Sequence, residues 1–271
     1  MIEEFVRNVL FEDIGRGDLY SLVEPAVEAS ASIIAKSSGV VAGQIYLNAL
    51  AKIKDIDILW LKSDGDNFVA GDIIAKLSAD SHALLQTERS MLDMLLHASS
   101  IATLTAKYVK VLQPYNIKLL DTRKTRPLLR GFEKYATRTG GAINHRMGLD
   151  DCLMLKDTHL KTINNLDEYM KHARAKIPFT CKIEIEIEDF DMAKRAMSVG
   201  ADIIMCDNMA IKEIKKVVEF KNKNYPHILI EASGNITLDT LEDYAQSGID
   251  ALSAGSIVHQ ANWLDMSMKM N

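Results

Sequence analysis

Residues Leu119 to Leu149 (LLDTRKTRPLLRGFEKYATRTGGAINHRMGL) concentrate positive charge in an acidic chain. Between Thr122 and Leu149 stand Arg123, Lys124, Arg126, Arg130, Lys134, Arg138 and Arg146, with His145, against a single acid, Glu133. Guanidinium forks grip a carboxylate or phosphate through two parallel hydrogen bonds. The chemistry implied is a pocket for a polyanionic small molecule. A solvated basic helix face accounts for Arg130, Lys134 and Arg138, which recur at helical spacing. It accounts less well for Arg123-Lys124 and His145-Arg146, which flank the helical segment.

A second set of candidates lies further along. In the run CKIEIEIE, Ile183, Ile185 and Ile187 share one face of a strand, while Lys182, Glu184, Glu186 and Glu188 share the other. Charges turned into a covered interior must be paired or must bind something charged. Glu184 and Glu186 facing Lys182, Lys156 and Arg123 would satisfy the pairing. Glu186 with Asp207 also makes a pair of hard oxygen donors suited to Mg²⁺, held directly or through water. Ser233-Gly234-Asn235 and Ala254-Gly255-Ser256 are small and each precedes a helical or turn segment. Such places let backbone N–H groups approach a phosphate. His259 is close enough in sequence to join them, although a lone histidine beside apolar residues is more often structural.

These residues need a frame. From residue 117 six apolar runs alternate with helical segments: Ile117 to Leu120, Cys152 to Leu155, Cys181 to Ile187, Asp202 to Cys206, His227 to Ile230 and Asp250 to Ser253. The alternation predicts parallel βαβ units and a β/α barrel with fewer than eight strands. Barrel chemistry gathers at the carboxyl ends of the strands. There the chain offers Asp121 to Lys124, Lys156-Asp157, Glu186 to Glu188, Asp207-Asn208, Glu231 to Asn235 and Ala254 to Ser256. The first hundred residues read differently. An amphipathic helix opens the chain, with Ile2, Phe5, Val6, Val9 and Leu10 on its apolar face. Strand signals follow at Ala29 to Ala35, Val40 to Ala42, Asp57 to Leu61 and Asp72 to Leu77, with a short hairpin over Asp64 to Lys76. Two helices come next, about Ser81 to His97 and Ile101 to Gln113. In the first of these, Glu88-Arg89 reads as a surface salt bridge.

Composition bounds the rest. A chain of 271 residues, 48% hydrophobic and 25% charged, can bury a substantial globular core. A net charge of −5 argues against a protein that coats nucleic acid. Cys152, Cys181 and Cys206 lack zinc-ligand spacing and read as buried thiols in a reducing compartment. No signal peptide and no apolar run of membrane-spanning length is evident, so a cytoplasmic protein is expected.

The motifs DTRKTRP, GGAINHRMGLDD, LKDTHL, KIEIEIE, IIMCDN and LIEASGNI, in this order, resemble the quinolinate phosphoribosyltransferase family. The resemblance extends from EDIGRGD at Glu12 to GSIVHQA near the end. Arg126 and Leu128 depart from the family pattern, where small or polar residues are usual. The resemblance implies a type II phosphoribosyltransferase. Its amino-terminal α/β sandwich domain would span residues 1–103. An incomplete, about six-stranded parallel β/α barrel would span 104–271, its last helix packing back on the first domain.

The reaction implied is that of quinolinate with phosphoribosyl pyrophosphate, giving nicotinate mononucleotide, pyrophosphate and CO₂ with Mg²⁺ in NAD synthesis. It implies that Arg123, His145, Arg146 and Lys156 hold the carboxylates of quinolinate. Arg89 would join them from the neighbouring subunit of a homodimer. Lys124, Glu186 and Asp207 would be catalytic, the two acids contacting ribose and metal. Ser233, Gly234, Asn235, Gly255 and His259 would take the phosphate. Two other readings remain at this point. One is the related pyrophosphorylase-like protein found with molybdate transport. The other is a Schiff-base lyase with Lys156 or Lys182 as nucleophile.

Overall fold

The computed structural model describes every residue, Met1–Asn271. In chain order it runs α1 (Ile2–Ile14), β1 (Glu28–Ala35), β2 (Gly39–Val40), α2 (Gln44–Lys54), β3 (Asp57–Trp60), β4 (Asn67–Phe68), β5 (Ile73–Asp80) and α3 (Ser81–Leu112). Then follow β6 (Lys118–Leu120), α4 (Arg130–Thr139), β7 (Leu153–Leu155), α5 (Asp157–Leu160), α6 (Leu166–Lys176), β8 (Ile183–Ile187), α7 (Phe190–Ser198), β9 (Ile203–Asp207) and α8 (Ile211–Asn224). The chain closes with β10 (Leu229–Ser233), α9 (Leu241–Ala245), β11 (Ala251–Ser253), α10 (Ser256–His259) and β12 (Met266–Met270). Two compact units result. One comprises Met1–Ala106, Tyr135–Gly141 and Ala261–Asn271; the other comprises Lys107–Lys134 and Ala142–Gln260.

The first unit is built on an antiparallel sheet in the order β12-β1-β5-β3. Ala31, Ile33, Ile74 and Leu77 of this sheet are buried, as are Leu47 and Leu50 of α2 and Leu84 and Leu95 of α3. The strand signals hid α2. Its first N–H groups are capped from a distance: Asp64 Oδ1 accepts from Gly43 N at 3.0 Å and Gln44 N at 3.2 Å. The hairpin expected over Asp64 to Lys76 does not form. Its first strand, β4, pairs with β2, and β5 pairs instead with β1 and β3.

The two helices expected from Ser81 onward are one helix of 32 residues. Ser99-Ser100 does not break it, because Ser100 Oγ donates back to Leu96 O at 2.6 Å and Ser99 Oγ bonds the backbone of Ala42. The last element is a strand where a helix was expected. Met266, Met268 and Met270 alternate with Ser267 and Lys269, and β12 lies antiparallel to β1 with Met268 opposite Ile33.

The second unit carries a six-stranded parallel sheet in the order β6-β11-β10-β9-β8-β7. It is an incomplete barrel, as the alternation predicts. All five residues of β8 are buried, the isoleucines with the intervening glutamates. Lys182 and Glu188 lie just outside the strand and are exposed. The interior pairing expected for Lys182 therefore does not occur, since the strand begins one residue too late to turn it inward. The free edge of β6 is occupied by an irregular segment: Ile143 N donates to Leu119 O at 2.8 Å and forms an isolated parallel bridge with Leu120. That bridge brings Asn144, His145 and Arg146 to the carboxyl end of β6. No helix is long and apolar enough to cross a membrane.

Candidate active site

The segment Asn144-His145-Arg146 is held by a buried ion pair. Lys134 of α4 and Asp121 at the end of β6 are both fully buried. Lys134 Nζ donates to Asp121 Oδ1 at 2.5 Å, to His145 O at 2.6 Å and to Arg146 O at 3.0 Å. Asp121 in turn accepts from His145 N at 2.9 Å and from Asn144 Nδ2 at 2.6 Å. The ammonium thus finds an acceptor for each of its donors, the condition under which a buried charge is tolerated. The expectation of a solvated basic face on α4 fails at Lys134: helical spacing aligns it with Arg130 and Arg138, but its side chain runs inward. Arg126 pairs with the buried Glu133 (Nη1 to Oε1, 2.5 Å), and the exposed Leu128 takes a left-handed φ of 64°.

The carboxyl ends of the strands surround a cavity of about 750 Å³. Arg123, Lys124, Arg146 and Lys156 bring positive charge to its wall, Glu186 and Asp207 bring negative charge, and His145 lines it as well. Ser233, Gly234 and Asn235 line it too. Arg123 Nε is buried and has no hydrogen-bond partner within the chain. Lys156 Nζ is paired with Glu186 Oε2 at 2.5 Å. Burial and the nearby Arg123 both lower the pKa of Arg146, whose Nη1 donates to Cys152 O at 3.2 Å; a guanidinium remains charged regardless.

Three expected residues stand elsewhere. Gly255 is off the lining, but a Cβ there would come within 3.0 Å of Lys124 Cδ, so its lack of a side chain gives Lys124 its place. His259 is exposed at the end of the four-residue α10. Arg89 lies in the first unit, 63% exposed, and bonds Asp93 one helical turn on. The salt bridge expected within Glu88-Arg89 has the wrong partner, since neighbouring helix residues do not face each other.

His159 was missed by sequence reasoning. Its Nδ1 accepts from Lys156 N at 3.0 Å, which leaves Nε2 to carry the proton on the cavity wall. Asp207, Asn208, Gly234 and Asn235 form a tight turn network. Asn208 (φ 52°), Asn235 (φ 49°) and Gly234 (φ 99°) all adopt left-handed backbone. A Cβ on Gly234 would fall 2.7 Å from Asn208 N, so only glycine fits where the two loops meet.

His145 is enclosed on both sides of its ring. Nε2 lies 3.2 Å from Glu184 Oε2 and 3.3 Å from Glu231 Oε2, and Nδ1 accepts from Arg146 N at 2.7 Å. Burial opposes a charged ring and the two carboxylates favour one, with the net direction upward. An imidazolium, however, has no lone pair at Nδ1 to accept the Arg146 N–H, so the hydrogen-bond geometry is that of a neutral ring protonated at Nε2. Burial, with Glu231 adding to it, raises the pKa of Glu184. The Arg146 N–H needs a lone pair on Nδ1, so the protons of this cluster reside on the Nε2 side, shared with the acids. Of the cysteines, only Cys206 is buried; Cys152 and Cys181 are half-buried just before β7 and β8, and all three thiols are free.

The family model for the carboxyl-terminal domain of quinolinate phosphoribosyl transferase matches residues 101–269, and that for its amino-terminal domain matches 18–99. The chain belongs to the quinolinate phosphoribosyltransferase family. A probable carboxylating nicotinate-nucleotide pyrophosphorylase of Bacillus subtilis is 37% identical over 270 residues, 98% of this chain and 92% of the relative. One of Methanothermobacter thermautotrophicus is 35% identical over 98% of each chain. The solved structure of NadC from Streptococcus pyogenes superposes with a TM-score of 0.92 at 36% identity, covering all of this chain and 96% of that one. The family fold is thus the one described above, an antiparallel amino-terminal sheet followed by an incomplete barrel.

Removing one member of a buried ion pair strands the other in the interior. Lys134→Met is therefore expected to lower unfolding stability by about 3–5 kcal/mol, measured by urea denaturation, whereas Arg138→Met on the same helix should change it by less than about 0.5 kcal/mol.

Proposed function

We propose that this protein transfers the phosphoribosyl group of phosphoribosyl pyrophosphate to quinolinate, with loss of CO₂, giving nicotinate mononucleotide and pyrophosphate. The observation that carries the reading is the joint lining of one cavity. It combines Arg123, Arg146 and Lys156 with Glu186, Asp207 and the small Ser233-Gly234-Asn235 turn, and Lys156 is paired to Glu186 between the two sets. A planar dicarboxylate suits the first, and a ribose phosphate suits the second. Family membership supports the same assignment.

In this reading Arg123, Arg146 and Lys156 hold the two quinolinate carboxylates, and His145 lines the same cavity. Ser233, Gly234 and Asn235 receive the 5′-phosphate, while Gly255 acts through the placement of Lys124. The position of His259 gives no support to a phosphate role. Departure of pyrophosphate leaves positive charge on the sugar, as in glycoside cleavage. Glu186 and Asp207 face that charge, and Lys124 faces the departing anion.

Mg²⁺ is a proposed partner of the pyrophosphate. Glu186 and Asp207 offer the hard oxygen donors that it takes, and when bound it would neutralise the leaving group. The quinolinate nitrogen attacks the sugar as pyrophosphate departs. The pyridinium so formed stabilises the electron pair left when the adjacent C–CO₂ bond breaks to release CO₂, and the resulting ring carbanion takes a proton from water. Cations that grip the carboxylate before it leaves contribute selectivity more than rate. The protein is proposed to act in the cytoplasm as a homodimer, with Arg89 of each copy completing the quinolinate site of the other.

Purified protein should release labelled CO₂ from the 2-carboxylate of quinolinate only when quinolinate, phosphoribosyl pyrophosphate and Mg²⁺ are all present. Arg146→Ala should raise KM for quinolinate at least about tenfold, a loss of roughly 1.4 kcal/mol, and leave KM for phosphoribosyl pyrophosphate within about twofold. Equal rises in both would count against the assignment. The role of Arg89 has its own test. Arg89→Ala and Arg146→Ala proteins, each nearly inactive, should regain about a quarter of wild-type activity when mixed and allowed to exchange subunits. No recovery on demonstrated exchange would place Arg89 outside its neighbour's site.

A further inference from the structure

Two buried acids, Glu184 of β8 and Glu231 of β10, have no part in the roles above. They are 0% and 2% exposed, and they contact His145, which lines a cavity proposed to take a dianion. Bare negative charge there would repel the substrate and would itself be costly to bury. Each has one carboxyl oxygen on His145 Nε2, and each has its other oxygen, Oε1, without a hydrogen-bond donor. An ionised carboxylate seeks donors at both oxygens. The Nε2–H of the ring lies between the two acids and is within reach of one oxygen of each.

The ring passes this constraint on. Nδ1 holds the Arg146 N–H, while Lys134 holds the carbonyls of His145 and Arg146 and Asp121 holds His145 N. Every backbone N–H and C=O of the dipeptide is thereby fixed, three of the four by the ion pair and the fourth, the Arg146 N–H, through the ring. The charged and titratable groups around His145 are Glu184, Glu231, Asp121, Lys134 and Arg146, with the thiol of Cys152 4.0 Å from Glu184 Oε2. Nε2 and the two carboxylates also lie within 4.8 Å of one another, a spacing a metal ion could use. Ligation through Nε2 would move the ring proton to Nδ1, against the Arg146 N–H, so the geometry favours the proton.

We propose that Glu184 and Glu231 are positioning residues for quinolinate recognition, which clamp the His145 ring through Nε2 so that Nδ1 locks Arg146 toward the cavity. His145 then acts on the substrate through Arg146 rather than by donating a ring N–H. The proposal rests on the assignment of Arg146 to quinolinate, which the CO₂-release assay tests first and separately.

The test compares Glu184→Ala and Glu231→Ala with Glu184→Gln and Glu231→Gln. Each alanine variant should raise KM for quinolinate about tenfold or more, with KM for phosphoribosyl pyrophosphate within about twofold. Each glutamine variant should return to within about threefold of wild type, because the amide oxygen still accepts from Nε2–H. Folded alanine variants with unchanged quinolinate KM, equal rises in both KM values, or glutamine variants as impaired as alanine would each overturn the proposal. Should the alanine variants not fold, the ¹⁵N resonances of histidine-labelled wild-type protein decide. A His145 Nδ1 without a proton and an Nε2 with one is the expected pattern. A proton on Nδ1 would overturn it even if quinolinate turnover is confirmed.

Discussion

The interaction on which the site depends is the ion pair between Lys134 and Asp121. A lysine ammonium without exposure to water is stable only if its donors are all used, and here they are used on one carboxylate and two consecutive carbonyls. The pair ties three pieces of chain together: the end of β6, the helix α4 and the loop that fills the free edge of the sheet. An incomplete barrel has such an edge by construction. Here the edge is bridged by Ile143, just before the residues proposed to meet the substrate, so the weakest place in the sheet becomes an anchor of the site.

The barrel interior follows the same rule of compensated charge. Glu184 and Glu231 face His145, and Glu186 faces Lys156. These pairs differ in exposure. The Lys156 side chain is 44% exposed and opens onto the cavity, whereas Glu184 is wholly enclosed. The enclosed cluster is fixed by its surroundings and suits positioning. The open pair can exchange partners with a ligand, since water and an incoming anion compete for the lysine at modest cost. In the proposed mechanism, a carboxylate that takes Lys156 also releases Glu186 toward the ribose and Mg²⁺.

Much of this was legible in the sequence, and the parts that were not share a cause. The alternation of apolar runs and helices gave six parallel strands because local patterns report local structure. The cavity residues were found because polar side chains at strand ends are conspicuous against apolar runs. Lys134 was misread because its spacing on α4 matches an exposed face; its burial is set by Asp121 and the loop carbonyls, groups distant from it in the helix pattern. Helix α2 was missed because Asp64, twenty residues on, supplies its cap. The terminal strand was missed although methionines alternate there, because its partner β1 lies at the other end of the chain. Glu231 was read as one of several strand-end polar groups; its pairing with His145 depends on which way β10 faces.

The most direct test of the account is native-state hydrogen exchange at the His145 and Arg146 amides in the absence of any substrate. A preorganised loop predicts strong protection at both, since His145 N–H is bonded to buried Asp121 and Arg146 N–H to the clamped imidazole, with exchange only through a larger opening of the barrel. Exchange as fast as in the exposed loop around Leu128 would contradict the account. It would mean that the ion pair does not hold the loop before the ligand arrives.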